Sequence, residues 1–150
     1  MDRDRIVRRA LAVSVPFNLG GALAFAFPES LGRLAGLPAP APPMYSAPLA
    51  FLVALFAGTY AWLARQPHID RPLVAFAAVG KSGFFAVTFV LWMLGEAPMQ
   101  FVIAASGDLL LAIVFAWWLL GEPAAAAVPA RPDALQRSTS AREGTARPSR

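Results

Sequence analysis

Residues 71–120 read RPLVAFAAVGKSGFFAVTFVLWMLGEAPMQFVIAASGDLLLAIVFAWWLL, and this stretch decides the fold. It holds two apolar runs, about Pro72–Leu94 and Pro98–Leu120, parted only by Gly95-Glu96-Ala97. Each run exceeds the ~20 residues a helix needs to cross a bilayer. Neither shows the polar face of an amphipathic helix in a soluble protein. A three-residue break leaves room only for a tight turn, so the two helices are expected to be antiparallel neighbours. Only two charged residues fall well inside the runs, Lys81 and Asp108.

Two further runs precede this hairpin, about Ile6–Phe27 and Ala47–Ala64. The expected fold is therefore all-α, a four-helix transmembrane bundle of up-down topology occupying residues 1–121. Composition agrees. The 150 residues are 57% hydrophobic and only 15% charged, against roughly 25% charged in soluble domains. A soluble domain of this size cannot hide so much apolar surface. The first run follows Arg8 and Arg9 as a signal peptide would. It is long for such a segment, Pro16 and Asn18 interrupt it, and no small-x-small cleavage site follows before Pro28. Retained as a helix, it is expected to kink at Pro16.

The connections carry their own signals. Between Pro28 and Tyr45, Glu29 and Arg33 stand i,i+4 with Leu31, Leu34 and Leu37 around them, the pattern of a short helix lying at the interface. Residues 122–150 are rich in Ala, Pro, Ser and Arg and are expected to form a disordered, basic cytoplasmic tail. Orientation follows from the arginines. Arg3, Arg5, Arg8, Arg9, Arg65, Arg71 and those of the tail share one side, and Arg33 alone marks the other. Both termini are thus expected in the cytoplasm. Trp62, Trp117 and Trp118 suit an inner aromatic belt, Tyr45 and Trp92 an outer one. The excess of Arg over Lys, with abundant Ala and Pro, looks like coding bias in a GC-rich bacterium, and a bacterial inner membrane is the expected location.

Several functions are excluded or disfavoured. The chain has no Cys, so thiol chemistry and thiolate metal sites are absent from it. Its one His, His68, falls in the short polar link Arg65–Arg71 and cannot supply bis-histidine haem ligation alone. Gly80-Lys81-Ser82 lacks the upstream glycine and preceding strand of a phosphate loop. The net charge of +4 comes from helix flanks and the tail, which suits anionic lipid better than nucleic acid. No catalytic residue, metal site or cofactor is expected.

Lys81 and Asp108 carry the candidate site. At 1.5 Å per residue they lie about 14 and 18 Å from the cytoplasmic ends of their helices, and Asn18 lies about 18 Å from the same side. Each charge costs about 2.5–3.5 kcal/mol at the bilayer centre, which favours pairing. A Lys81–Asp108 ion pair is expected, in a buried polar layer with Asn18 to which Ser82, Thr88 and Ser106 could belong. Such a pair is either structural or a binding site. The small residues Ala50, Ala54, Gly58, Gly80 and Gly83 read as helix-packing positions.

The sequence Gly58-Thr59-Tyr60 with Arg65 just after the second helix, and Gly80-Lys81 in the third, resemble the small bacterial four-helix proteins called DoxX-like; the likeness spans about Ile6–Leu120. Some of that group are linked to respiratory or quinone-related oxidoreduction. No residue role carries over to a defined position, and a separate family built around Lys81 and Asp108 is the alternative. Three functions stand in order. The first is an accessory or interaction bundle in the lipid bilayer, partnered by a second copy or another membrane protein. The second is a small-molecule or proton-coupled carrier centred on the Lys–Asp pair. The third is an intramembrane enzyme on a lipid-soluble substrate, which a mutual ion pair works against because it holds both groups charged.

Overall fold

A computed structural model describes residues 2–38 and 40–121. The tail expected at 122–150 lies outside the described residues. Four α-helices account for most of the rest: α1 (Arg3–Ala26), α2 (Pro43–Arg65), α3 (Arg71–Met93) and α4 (Met99–Leu119). They form a four-helix bundle. All four are long and apolar enough to cross a membrane, by length and composition. At 21–24 residues they span about 32–36 Å, against a hydrocarbon core of ~30 Å.

Local chemistry sets the helix starts. The Asp2 carboxylate accepts from the Asp4 backbone N–H, so α1 begins three residues before the apolar run does. Asp70 caps α3 by accepting from Leu73 N–H at 3.0 Å. Pro43 opens α2 at the first helical turn, where a missing N–H costs nothing. α1 continues unbroken through Pro16.

The 28–45 connection holds a five-residue π-helical turn, Pro28–Gly32, which continues through Leu34. Arg33 and Glu29 pair at 2.8 Å on its exposed side. It ends at Gly36, with φ +80°. Leu37 N–H donates to Gly32 O and Gly36 N–H to Arg33 O, the paired bonds of a Schellman stop. The same motif ends α3, where Gly95 has φ +78° and Glu96 N–H donates to Leu91 O.

α1 packs along α2, and α3 along α4; the two hairpins join through α1 and α4. End contacts give the directions. Arg8, near the start of α1, donates to carbonyls at the end of α2. Arg71, at the start of α3, donates to those of Leu119 and Gly121 at the end of α4. Trp118 near the end of α4 donates to Asp4 at the start of α1, at 2.8 Å. These three pairs of helices are each antiparallel. Trp118 is therefore buried and hydrogen-bonded, not part of an interfacial belt, whereas Trp62 and Trp117 are exposed.

The packing is asymmetric along the bundle. The main core joins Val7 and Leu11 of α1, Leu63 of α2, Val74 of α3, and Phe115 and Trp118 of α4. All lie towards the arginine-bearing end. The α2 and α3 backbones do not approach closely along their length, although the five-residue link 66–70 joins their ends and Tyr60 and Leu63 share the core with Val74 and Ala77. Outward surfaces carry large apolar side chains such as Phe51, Leu55, Val79, Ile103 and Leu110, each more than half exposed. Helix contacts inside use alanines instead, among them Ala57, Ala77, Ala105 and Ala112. Small inside and large outside is the pattern expected where lipid is the solvent. Of the expected packing positions, Ala50 is buried. Gly58, Gly80 and Gly83 have nothing within 4 Å of where a Cβ would stand, so they meet no other helix of this chain.

Candidate functional site

All four helices converge on Lys81. It shares the inward face of α3 with Val74, Ala77 and Thr88, spaced at i−7, i−4 and i+7. Its residue is only 3% exposed. The ammonium donates to Asp108 Oδ1 of α4 at 2.6 Å and to Asn18 Oδ1 of α1 at 3.0 Å. Asn18 stands on the same face of α1 as the buried Leu11, Ser14 and Ala22. Asp108 stands between the buried Ala105 and Ala112 of α4. The charge-assisted bonds are roughly twice as strong as neutral ones, and they offset part of the cost of taking both charges out of water.

Two aromatic rings complete the cage. Lys81 Nζ lies 5.0 Å from the ring centroid of Tyr60 and 5.3 Å from that of Phe17, within cation–π range. Sequence reasoning missed both. Aromatic residues are so frequent in these helices that composition does not single out any one. Tyr60 differs from the phenylalanines in carrying a hydroxyl, and that polar handle is the available signal.

The layer is narrower than the sequence suggests. Ser82 donates to Ala78 O, Thr88 to Phe84 O, and Ser106 to Ile103 O. Each hydroxyl is satisfied by the backbone of its own helix, so none joins Lys81. Ser14 likewise donates to Ala10 O. His68 is exposed in the link between α2 and α3.

The site is not filled by its own side chains. Asp108 Oδ2, the Asn18 amide nitrogen and the Tyr60 hydroxyl form no hydrogen bond among the described residues. Yet no buried side-chain nitrogen or oxygen lacks a partner. All three atoms must therefore touch open space. That space is a cavity of about 180 Å³ bordered by Asn18, Tyr60, Lys81 and Asp108 and otherwise walled by apolar side chains. A second cavity, about 380 Å³, shares Phe17, Gly21 and Phe84 with the first and also reaches Asp108; Leu37 and Phe101 border it. The first reaches from Tyr60, Phe76 and Ala77, just on the arginine side of the layer, to Phe25 and Leu49 beyond it; the second lies mainly beyond the layer.

The layer thus divides a packed half from a hollow half. Lys81 and Asp108 cancel each other's formal charge, so the cavity floor is neutral but rich in hydrogen-bonding groups. Chemically it can hold a polar head group while the walls hold an apolar body. Among the described residues, no three His, Cys, Asp or Glu side chains gather as metal ligands would. No family model, curated protein or solved structure matches the chain.

Proposed function

We propose that this protein is a multi-pass protein of a bacterial inner membrane, with both termini cytoplasmic, that holds a small molecule at Lys81, Asp108 and Asn18. This is the binding step that the carrier function requires, and it stands ahead of a purely accessory bundle. One observation carries it: three polar atoms around the ion pair face an open cavity instead of each other. A pair serving only to hold helices together would close on itself. Orientation is supported by Arg3, Arg5, Arg8, Arg9, Arg65 and Arg71 at one end of the bundle against Arg33 at the other. The resemblance to DoxX-like proteins in length and hairpin layout fits the same reading.

The test compares wild type with Asp108→Asn, both purified from their membranes, by mass spectrometry of the organic extract. A ligand site predicts molecules enriched in wild type and lost from a folded Asp108→Asn protein. Identical extracts from two equally folded proteins would leave the pair structural. Orientation is checked with single introduced cysteines, which label cleanly because the chain has none of its own.

The accessory or interaction function, with a second copy or another membrane protein as partner, is favoured by a different feature. The outward face of α2 carries a shallow groove over Ala54 and Gly58, flanked by Phe51 and Trp62. Small residues of this kind let a neighbouring helix approach closely. Gly58→Leu would then lower the oligomeric state measured by single-molecule photobleaching in liposomes.

A further inference from the structure

The open groups and the shape of the cavity narrow the ligand further, given that the Lys81–Asp108–Asn18 site binds one. We propose that the ligand is a neutral, membrane-dissolved amphiphile whose head is about one ring in size and bears a hydroxyl, and that it passes from the lipid between α2 and α3.

Charge gives the first restriction. Lys81 and Asp108 already neutralise each other at 2.6 Å. An ionic head group would bring an uncompensated charge into a site with no further counter-ion, at a cost of several kcal/mol. The head is therefore neutral. The free groups give the second. Asp108 Oδ2 accepts only, the Asn18 amide nitrogen donates only, and the Tyr60 hydroxyl does either. A head that both donates and accepts satisfies them, and a hydroxyl is the smallest that does so. Size gives the third. A cavity of 150 Å³ holds one benzene ring, and this one is about 180 Å³. The walls favour a flat apolar head: the rings of Phe17, Phe25, Phe56, Phe76 and Phe84 border it.

The route follows from the helix arrangement. α1 packs against both α2 and α4, and α4 against α3, but α2 and α3 stay apart. Leu49 and Leu52 of α2, and Gly80 of α3, border the cavity on that side and are themselves exposed. The Phe56 and Phe76 rings stack at 5.9 Å across the gap and form its sill towards the arginine end. Below that sill the packed core closes the bundle. The open part therefore faces the leaflet opposite the arginines, and an alkyl chain attached to the ring can remain in lipid while the head sits on Asp108.

The experiment uses three probes that differ only in the head: 4-octylphenol, octylbenzene and 4-octylbenzoate. Each is titrated into the full chain in lipid nanodiscs, with tryptophan fluorescence and thermal stability as readouts. The expected result is saturable binding of 4-octylphenol at least tenfold tighter than either analogue. Tyr60→Phe keeps the ring over Lys81 and should weaken 4-octylphenol about tenfold, the loss of one hydrogen bond of ~1.4 kcal/mol. Gly80→Leu, where an added Cβ meets nothing within 4 Å, should slow association several-fold by filling the gap, while Ile113→Leu on the outer face of α4 does not. Equal binding of octylbenzene, or tighter binding of the benzoate, would overturn the proposed head group. An unchanged rate in Gly80→Leu would overturn the route. Saturable benzoate binding that Lys81→Met abolishes would refute this ligand class yet leave the binding site standing. Identical membrane extracts from wild type and Asp108→Asn would remove the site itself.

Discussion

Breaking the Lys81–Asp108 pair one partner at a time tests the energetics of the whole bundle. Removing one member of a buried pair typically costs about 3–5 kcal/mol, because the other charge is left without compensation. Two features move these substitutions to the low end. Lys81→Met strands a carboxylate that is 13% exposed and already borders both cavities, so open space relieves part of the charge. Asp108→Asn strands an ammonium that is only 3% exposed but keeps Asn18 Oδ1 at 3.0 Å. It also keeps two rings, each worth about 0.5–2 kcal/mol as cation–π partners. In a bilayer the inserted but unpacked helices also find partners, which trims both costs. Each single substitution should therefore cost about 3 kcal/mol. The double substitution removes both charges and should return to within about 1 kcal/mol of wild type. The coupling would then be several times the ~0.5 kcal/mol scatter of additivity. Reversible unfolding in mixed SDS and maltoside micelles, followed by tryptophan fluorescence, measures it. A double variant as unstable as its two parents combined would refute the pair as an energetic unit. The exchange Lys81→Asp with Asp108→Lys should rescue only in part. A rotated Asn18 amide can donate to a carboxylate, but the Tyr60 and Phe17 ring faces then lie beside an anion instead of a cation.

Three other outcomes follow from the ends of the helices. Arg8 reaches the carbonyls of Ala64, Gln66 and Pro67, so Arg8→Ala should destabilise by about 1–3 kcal/mol and speed amide exchange at the end of α2; Arg8→Lys should recover less than half, because one ammonium cannot span the three carbonyls. Trp118→Phe keeps the buried ring but loses the 2.8 Å bond to Asp4, and thermal unfolding should show a loss of about 1–3 kcal/mol. Gly36→Ala and Gly95→Ala share a left-handed backbone, φ +80° and +78°, costing about 1–2 kcal/mol each. Only at Gly36 does the new Cβ meet neighbours, Gln100 Cβ and Phe101 N at 2.9 Å, so its melting temperature should fall further; the reverse order would contradict the docking of this turn on α4.

Run length made the four helices legible, since a bilayer demands about twenty apolar residues whatever their order. Their starts were less so. α2 begins at Pro43, four residues before the apolar run, because proline is favoured in a first turn although it reads as a breaker elsewhere. Depth arithmetic brought Lys81, Asp108 and Asn18 to one level, and they meet there. Facing was the part the sequence withheld. Nothing in the run of α4 distinguishes the buried Phe115 from the exposed Ile113, and hydroxyls at Ser82, Thr88 and Ser106 turn to their own backbones for reasons local to each helix turn. In the sequence Arg8 and Arg71 mark topology. Arg8 and Arg71 also satisfy the orphan carbonyls that end α2 and α4, a role that needs the partner helix in place before it can be seen.

The place of the ion pair within α3 and α4 argues against register as its purpose. This hairpin is already fixed at both ends. At one, the Schellman turn at Gly95 links the helices through five residues, 94–98. At the other, Arg71 holds the carbonyls of Leu119 and Gly121 and lies over the Trp118 ring at 5.1 Å. A slip of one residue would break both, so a third pin between them adds little. A charged pair is also a costly pin, since apolar side chains of similar volume often match or exceed its contribution to stability. Its position is better explained by what it faces. It stands where the packed core stops and two cavities begin, with one carboxylate oxygen turned to the open side. If the pair were replaced by Lys81→Met with Asp108→Leu, the bundle should remain as stable as wild type while the cavity loses every strong hydrogen-bonding group except Asn18 and Tyr60. Retained stability with lost ligand would separate the two roles, and lost stability would return the pair to the architecture.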